Sequence, residues 1–146
     1  MTPADVIAEA RSWIGTPFHW QASAKRVGCD CKGLVAGVAR ELGLPEARSL
    51  YAGISDYSEK VPVALLKAGL AATLQQVGEP KPGDVLLMQI ARKPQHLGIY
   101  TGTGVIHCWG RGAKGVGQKV IEHPAKSALR AWPLDSVWRF RSLEGG

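Results

Sequence analysis

Three residues of this 146-residue chain have the types and settings for thiol chemistry. Cys31 lies in Gly28-Cys29-Asp30-Cys31-Lys32-Gly33-Leu34-Val35, where a loop gives way to a helix. Asp30 is an N-cap residue whose carboxylate can accept from the free amides of the first turn. Beyond it Leu34, Val35, Val38, Ala39 and Leu42 recur at helical spacing, Gly43 offers a C-cap and Pro45 forbids continuation. A thiol at that end meets unpaired N–H groups and the positive end of the helix dipole, which favour its thiolate. His96 and His107 stand in Gln95-His96-Leu97-Gly98-Ile99-Tyr100 and Val105-Ile106-His107-Cys108-Trp109, on either side of the turn Gly102-Thr103-Gly104. Antiparallel pairing sets the two imidazoles side by side at one end of a hairpin. Nucleophile, base and orienting group are then present: Cys31 attacks, His96 takes its proton and gives it to the leaving amine, and His107 holds the far nitrogen of His96. Backbone N–H groups at the helix start, that of Cys31 included, would hold the oxyanion.

The ordinary alternative is inert sulfur. Free cysteine is among the most buried residue types, and Cys29 and Cys108 read as core or loop thiols. A metal site drawn from Cys29, Cys31, His96, His107 and Cys108 lacks the usual paired Cys-x-x-Cys spacing, and no metal or other cofactor is expected. His19 and His123 have no clear partner. On the residues alone, a thiol enzyme and all other readings taken together stand level.

The elements that must position these groups form an α+β pattern. Thr2–Ile14 reads as a helix with Thr2 as cap, Pro3 at its first position and Val6, Ile7, Ala10, Trp13 and Ile14 on one face; Gly15 stops it. A loop covers Thr16–Gly28, and the cysteine helix runs from Cys31 to Leu42. Pro45–Gly53 reads as a connection. Ile54–Lys67 is mixed, with Pro62 as a break or a helix start and with Leu65, Leu66 and Leu70 packing inward. Ala71–Gly78 is a short helix or covering loop, and Pro80-Lys81-Pro82-Gly83 a turn. Strands follow at Asp84–Ile90, Leu97–Thr101, Val105–Trp109, Gln118–Glu122 and Ser136–Arg141, with a short helix at Ala125–Ala131. Helices first and an antiparallel sheet of about five strands afterwards make one domain over residues 1–146.

The net charge is +6, with the basic residues scattered rather than clustered among aromatics. That pattern argues for a solvated basic face, or attraction to a polyanionic surface such as a bacterial envelope, over a nucleic-acid partner. No apolar run approaches the ~18 residues of a membrane span. The N-terminus lacks a signal peptide, which implies synthesis in the cytoplasm. Three cysteines do not make a disulfide framework.

Asp30-Cys31-Lys32-Gly33-Leu34-Val35 resembles the Asp-Cys-Ser-Gly-[Leu/Phe]-Val signature of the NlpC/p-sixty cell-wall peptidases. Gly15-Thr16-Pro17-Phe18 is similar to that family's Gly-Thr-Pro-Tyr, Lys81-Pro82-Gly83-Asp84-Val85 to its Pro-Gly-Asp-Leu, His96-Leu97-Gly98-Ile99-Tyr100 to its His-Val-Gly-Ile-Tyr, and Ile106-His107 to its Ile-His. The motifs fall in the family's order over nearly the whole chain. Gln21-Ala22-Ser23 with Gly28-Cys29-Asp30-Cys31 most resembles the stand-alone peptidases of phage tails and gene transfer agents. The resemblance implies a papain-like fold and hydrolysis of an amide in the peptide stem of peptidoglycan, typically after D-glutamate. It gives Cys31, His96 and His107 the nucleophile, base and orienting roles, and makes Phe18, Asp30 and Lys32 candidates for substrate or oxyanion contact. Phe18 replaces a Tyr whose hydroxyl lies near the thiol. Lys32 replaces a Ser, and its charge should favour the thiolate further. The expected partners are stem peptides and tail or tail-hub proteins, since no part of the chain is left over for wall binding; the expected setting is a phage-like tail acting in the periplasm. A silent tail-tip component of the same fold, or a thiol amidase or acyltransferase on another amide, are the alternatives. Gly110–Gly117 is expected to border the cleft.

Overall fold

The structure, a computed structural model, describes residues 1–54, 63–110 and 118–145. It opens with α1 (Pro3–Arg11). Thr2 and Asp5 cap this helix reciprocally: the Asp5 amide donates to the Thr2 hydroxyl at 3.3 Å, and the Thr2 amide donates to the Asp5 carboxylate at 2.8 Å. The helix ends three residues earlier than its apolar face suggests, yet Trp13 stays fully buried in the turn that follows. The short strands β1 (Ser23–Ala24) and β2 (Gly28–Cys29) pair within the next loop, and α2 (Cys31–Glu41) starts directly behind them. Its end is a Schellman turn: Gly43, at φ +67°, donates to Arg40, and Leu44 reaches back to Ala39.

The connection expected at Pro45–Gly53 is instead α3 (Glu46–Ile54). Pro45 stops one helix and also precedes the next, and tertiary contacts hold the second one. Leu50 is buried, and the Glu46 carboxylate accepts the amide and hydroxyl of Ser142 at 3.0 and 2.6 Å. Residues 55–62, and with them Pro62, lie outside the described part; α4 (Val63–Thr73) begins immediately after them. Leu66 and Leu70 pack inward as expected, whereas Leu65 is 55% exposed.

Strands β3 (Gln75–Val77), β4 (Val85–Ile90), β5 (Lys93–Tyr100), β6 (Gly104–Cys108), β7 (Val120–Pro124) and β8 (Leu134–Arg139), with α5 (Ala125–Ala131) before the last, complete the chain. They form a six-stranded sheet in the order β3-β8-β4-β5-β6-β7, antiparallel throughout. The sixth strand is β3, which falls where a short helix or covering loop is expected. It has three residues and no apolar alternation, so only its pairing with β8 defines it. Both faces of the sheet are covered. Val85, Leu87, Leu97, Ile99 and Ile106 meet the helices α1, α2 and α4, while Leu86, Met88, Val105 and Val137 meet Ala128 of α5. Burial on both sides explains the unbroken apolar run Val85-Leu86-Leu87-Met88. At the foot of β4, Arg139 grips the buried Asp84 with both prongs, at 2.7 and 2.8 Å, and Asp84 also accepts the Lys81 amide at 2.7 Å.

The largest departure from expectation concerns β5, which begins at Lys93 rather than Leu97. Ala91 and Arg92 turn the chain with φ of +50° and +69° and join β4 to β5 as a two-residue hairpin. Neither residue is one of the usual turn formers, so the turn leaves no mark in the sequence. His96 therefore lies inside a strand. Met88 faces His96 and Gln89 faces Pro94, which leaves Gln95 as the extra residue of a β-bulge.

Candidate active site

The N-terminus of α2 is pinned from two sides. Asp30, only 4% exposed, accepts the Gly33 amide at 2.7 Å and, through its other oxygen, the Gln21 amide at 2.9 Å. Ser23 donates to the Gly33 carbonyl at 2.6 Å, and Asp30 donates its own amide to Ala22. The Gln21-Ala22-Ser23 segment is thus clamped over the first turn, and the Ala22 carbonyl occupies the space a Cβ on Gly33 would need. Asp30 caps the helix with both carboxylate oxygens in use. Cys31 takes the first helical position, where its amide has no intrahelical acceptor.

Cys31 opens into a pocket that it shares with Phe18, Trp20, Lys32, Gln95 and His96. Phe18 forms its wall, with its ring edge-on to Trp20 at 5.0 Å and against Gly110, where a Cβ would strike it. Gly110 also lines the pocket; residues 111–117 of the glycine-rich loop lie outside the described part. The thiol sits 4.0 Å from the Gln95 carbonyl, the residue that the bulge turns out of the ladder, and the Leu97 amide points at it. It therefore brackets the backbone of His96. Cys31 and His96 share the pocket without a hydrogen bond to each other among the described residues.

The imidazoles are more tightly organised. His96 Nε2 lies 2.7 Å from His107 Nδ1, and His107 Nε2 lies 2.7 Å from His123 Nδ1. On the sheet, Gly98 faces His107 and Val105 faces His123, so each histidine sits diagonally, two residues out of register, from the next. The three run across β5, β6 and β7 on one face. Trp132, just after α5, covers them all, with its ring 4.8 Å from His107, 5.7 Å from His123 and 5.8 Å from His96. Trp109 meets His96 edge-on at 5.5 Å.

Burial governs the charges here. Loss of hydration lowers the pKa of His96 well below the ordinary imidazole value, helped by the neighbouring His107 and by the Lys32 ammonium. His107 falls to about 4, first through burial and then through His123. Burial also pushes the Cys31 thiol up, and Asp30 and Cys29 add to this. Lys32 and the Leu97 amide pull it down without prevailing. The expected bias toward a thiolate is thus reversed: Lys32 is itself buried beside the thiol, but desolvation of the sulfur outweighs its charge. At neutral pH the resting pocket thus holds a neutral Cys31 thiol and a neutral His96 imidazole.

Cys29 and Cys108 are fully buried, the latter donating to the Cys29 carbonyl at 3.2 Å. His19 is held by the Trp20 carbonyl on the protein surface. His123, without a clear partner in the sequence, and Trp109, Trp132 and Gln95 are the residues that sequence reasoning missed. The alternation of β7 could have put His123 on the face of His107, but only once the β6–β7 register was known. No group of three or more His, Cys, Asp or Glu among the described residues is arranged to hold a metal ion. No described helix is long and apolar enough to cross a membrane.

No curated protein matches the chain in sequence. In fold it is similar to the crystal structure of the NlpC/p60 domain of the peptidoglycan hydrolase SagA, with a TM-score of 0.59 and 22% identity, covering 96% of this chain and 100% of that one. The likeness shows a papain-like α+β architecture of helices on an antiparallel sheet. A family model described as the NlpC/P60 family matches residues 15–131, a span that holds the capped cysteine helix and all three linked histidines, and on that match the chain belongs to the NlpC/P60 (p-sixty) family.

Proposed function

We propose that this protein is a cysteine peptidase that hydrolyses an amide bond in the peptide stem of bacterial peptidoglycan. The observation that carries the reading is the shared pocket of Cys31 and His96, with His96 held from behind by His107. Membership of a cell-wall peptidase family and a fold shared with a peptidoglycan hydrolase support it.

With Nε2 of His96 committed to His107, Nδ1 is the nitrogen left to receive a proton. The neutral thiol swings from the Gln95 carbonyl to that nitrogen, and its sulfur attacks the scissile carbonyl carbon as the proton passes to His96. The oxyanion forms against the free amide of Cys31. Protonated His96 then donates to the leaving amine, and the C–N bond breaks to leave a thioester. A water that loses its proton to His96 attacks the thioester; the acid departs and the thiol recovers its proton. Phe18 and the buried Lys32 line the substrate side of the pocket.

Incubation of purified peptidoglycan with the protein should release muropeptides, and Cys31→Ala should abolish release with an unchanged circular dichroism spectrum. Release by the folded Cys31→Ala variant at the wild-type rate would overturn the assignment. Within the same proposal, the protein works as part of a phage-like tail that opens the wall locally from the periplasm. The support is the likeness of Gln21-Ala22-Ser23 and Gly28-Cys29-Asp30-Cys31 to tail-associated peptidases. Mass spectrometry of purified tail particles should find the chain; particles without it would point to a free wall hydrolase.

A further inference from the structure

We propose that His123 is a positioning residue for the same chemistry, setting the tautomers of His107 and His96 from the edge strand β7, on the same face of the sheet. The inference rests on the thiol–imidazole reading of the site. For His96 to accept a proton at Nδ1 while neutral, it must carry its own hydrogen on Nε2. That N–H points at His107 Nδ1, 2.7 Å away, which must then be bare. A bare Nδ1 on neutral His107 requires its hydrogen on Nε2, and that N–H points at His123 Nδ1, again 2.7 Å away. Each ring thus has one tautomer compatible with the next, and the chain of constraint ends at His123 on β7. Reversing His107 would aim two N–H groups at each other or strip the base nitrogen of His96 of its lone pair.

Other features make the constraint effective. His96 and His107 are 2% and 0% exposed, so water has little access with which to satisfy a reversed ring. The depressed basicity of both keeps them neutral, the state in which tautomers matter. Trp132 lies against all three rings and limits their rotation. His123, on the outer strand, is only half-buried, and its Nε2 has no protein partner among the described residues. It can keep the required tautomer with solvent taking its outward N–H.

The test uses the wild-type protein and two variants. Nitrogen-15 NMR of imidazole-labelled wild-type protein at pH 7 should show His96, His107 and His123 all protonated on Nε2 and bare on Nδ1. His123→Leu removes the acceptor and should cost about tenfold in kcat, with KM little changed and His107 or His96 populating the other tautomer. His123→Asn returns an acceptor near the position of Nδ1 and should restore both the rate and the tautomers. A wild-type His107 protonated on Nδ1, or wild-type kcat in folded His123→Leu, would overturn the proposal. If the wild-type protein releases no muropeptides, the peptidase reading fails by itself, and the spectrum still decides the tautomers.

Discussion

His96 Nε2 and His107 Nδ1 are 2.7 Å apart although the strand register sets His107 opposite Gly98. The diagonal, not the direct cross-strand pair, carries the bond, and Gly98 contributes no side chain between the two rings. Because His107 meets only the back of His96, the two should fail differently. His96→Ala removes the base, a loss of roughly 10²–10⁴ in kcat. His107→Ala frees the ring but leaves it present, so its loss should be about tenfold smaller. Muropeptide release by both variants checks this; equal residual rates would contradict separate roles.

Acid should destabilise the fold through the same rings. The unfolded chain protonates His107 near the ordinary value of 6.5, the folded protein only at about 4. Its contribution is fully present above pH 6.5, and roughly 3 kcal/mol is lost as pH falls through that window. His96, depressed by the same burial, adds in the same direction. Urea unfolding at pH 7, 5 and 4 measures the loss, and His107→Asn should flatten it. Identical acid slopes in the two proteins would place the effect elsewhere.

The raised pKa of Cys31 predicts slow, steadily climbing alkylation. The rate with iodoacetamide should rise from pH 6 to beyond 9 without the neutral-pH plateau of a preformed thiolate–imidazolium pair. Cys31 should still outpace Cys29 and Cys108, which are fully buried. Peptide mapping of the modified protein separates the three, and a plateau below pH 7 would contradict the neutral resting pair.

Asp30→Ala should destabilise the protein by about 1–2 kcal/mol, the cost of a lost N-cap, since both its oxygens hold backbone amides. The clamp over α2 loosens with it, so kcat should fall as well. Denaturant titration and muropeptide release give the two readings.

Away from the pocket, Asp84→Ala should cost about 2–3 kcal/mol and leave kcat of the folded fraction unchanged. It strands the Arg139 guanidinium and the Lys81 amide at the foot of β4. A selective loss of kcat at full stability would give Asp84 a role in the site.

By itself the sequence determined what is local. Thr2, Asp30 and Gly43 mark helix ends through their own side chains or backbone freedom, and the structure uses each where its type demands. The cysteine helix, the turn after Pro80, the β5–β6 hairpin and the helix Ala125–Ala131 are legible for that reason. Tertiary structure decided what depends on pairing and burial. The three-residue β3 exists only against β8, and α3 is held by Leu50 and by Ser142, 96 residues beyond Glu46. The bulge at Gln95 comes from a mismatch between two strands, and the partner of His123 from the β6–β7 register. The protonation of Cys31 follows the same division. Helix start and Lys32 are visible in the chain and favour the thiolate, but the water removed from around the sulfur is a property of the packed molecule, and it prevails.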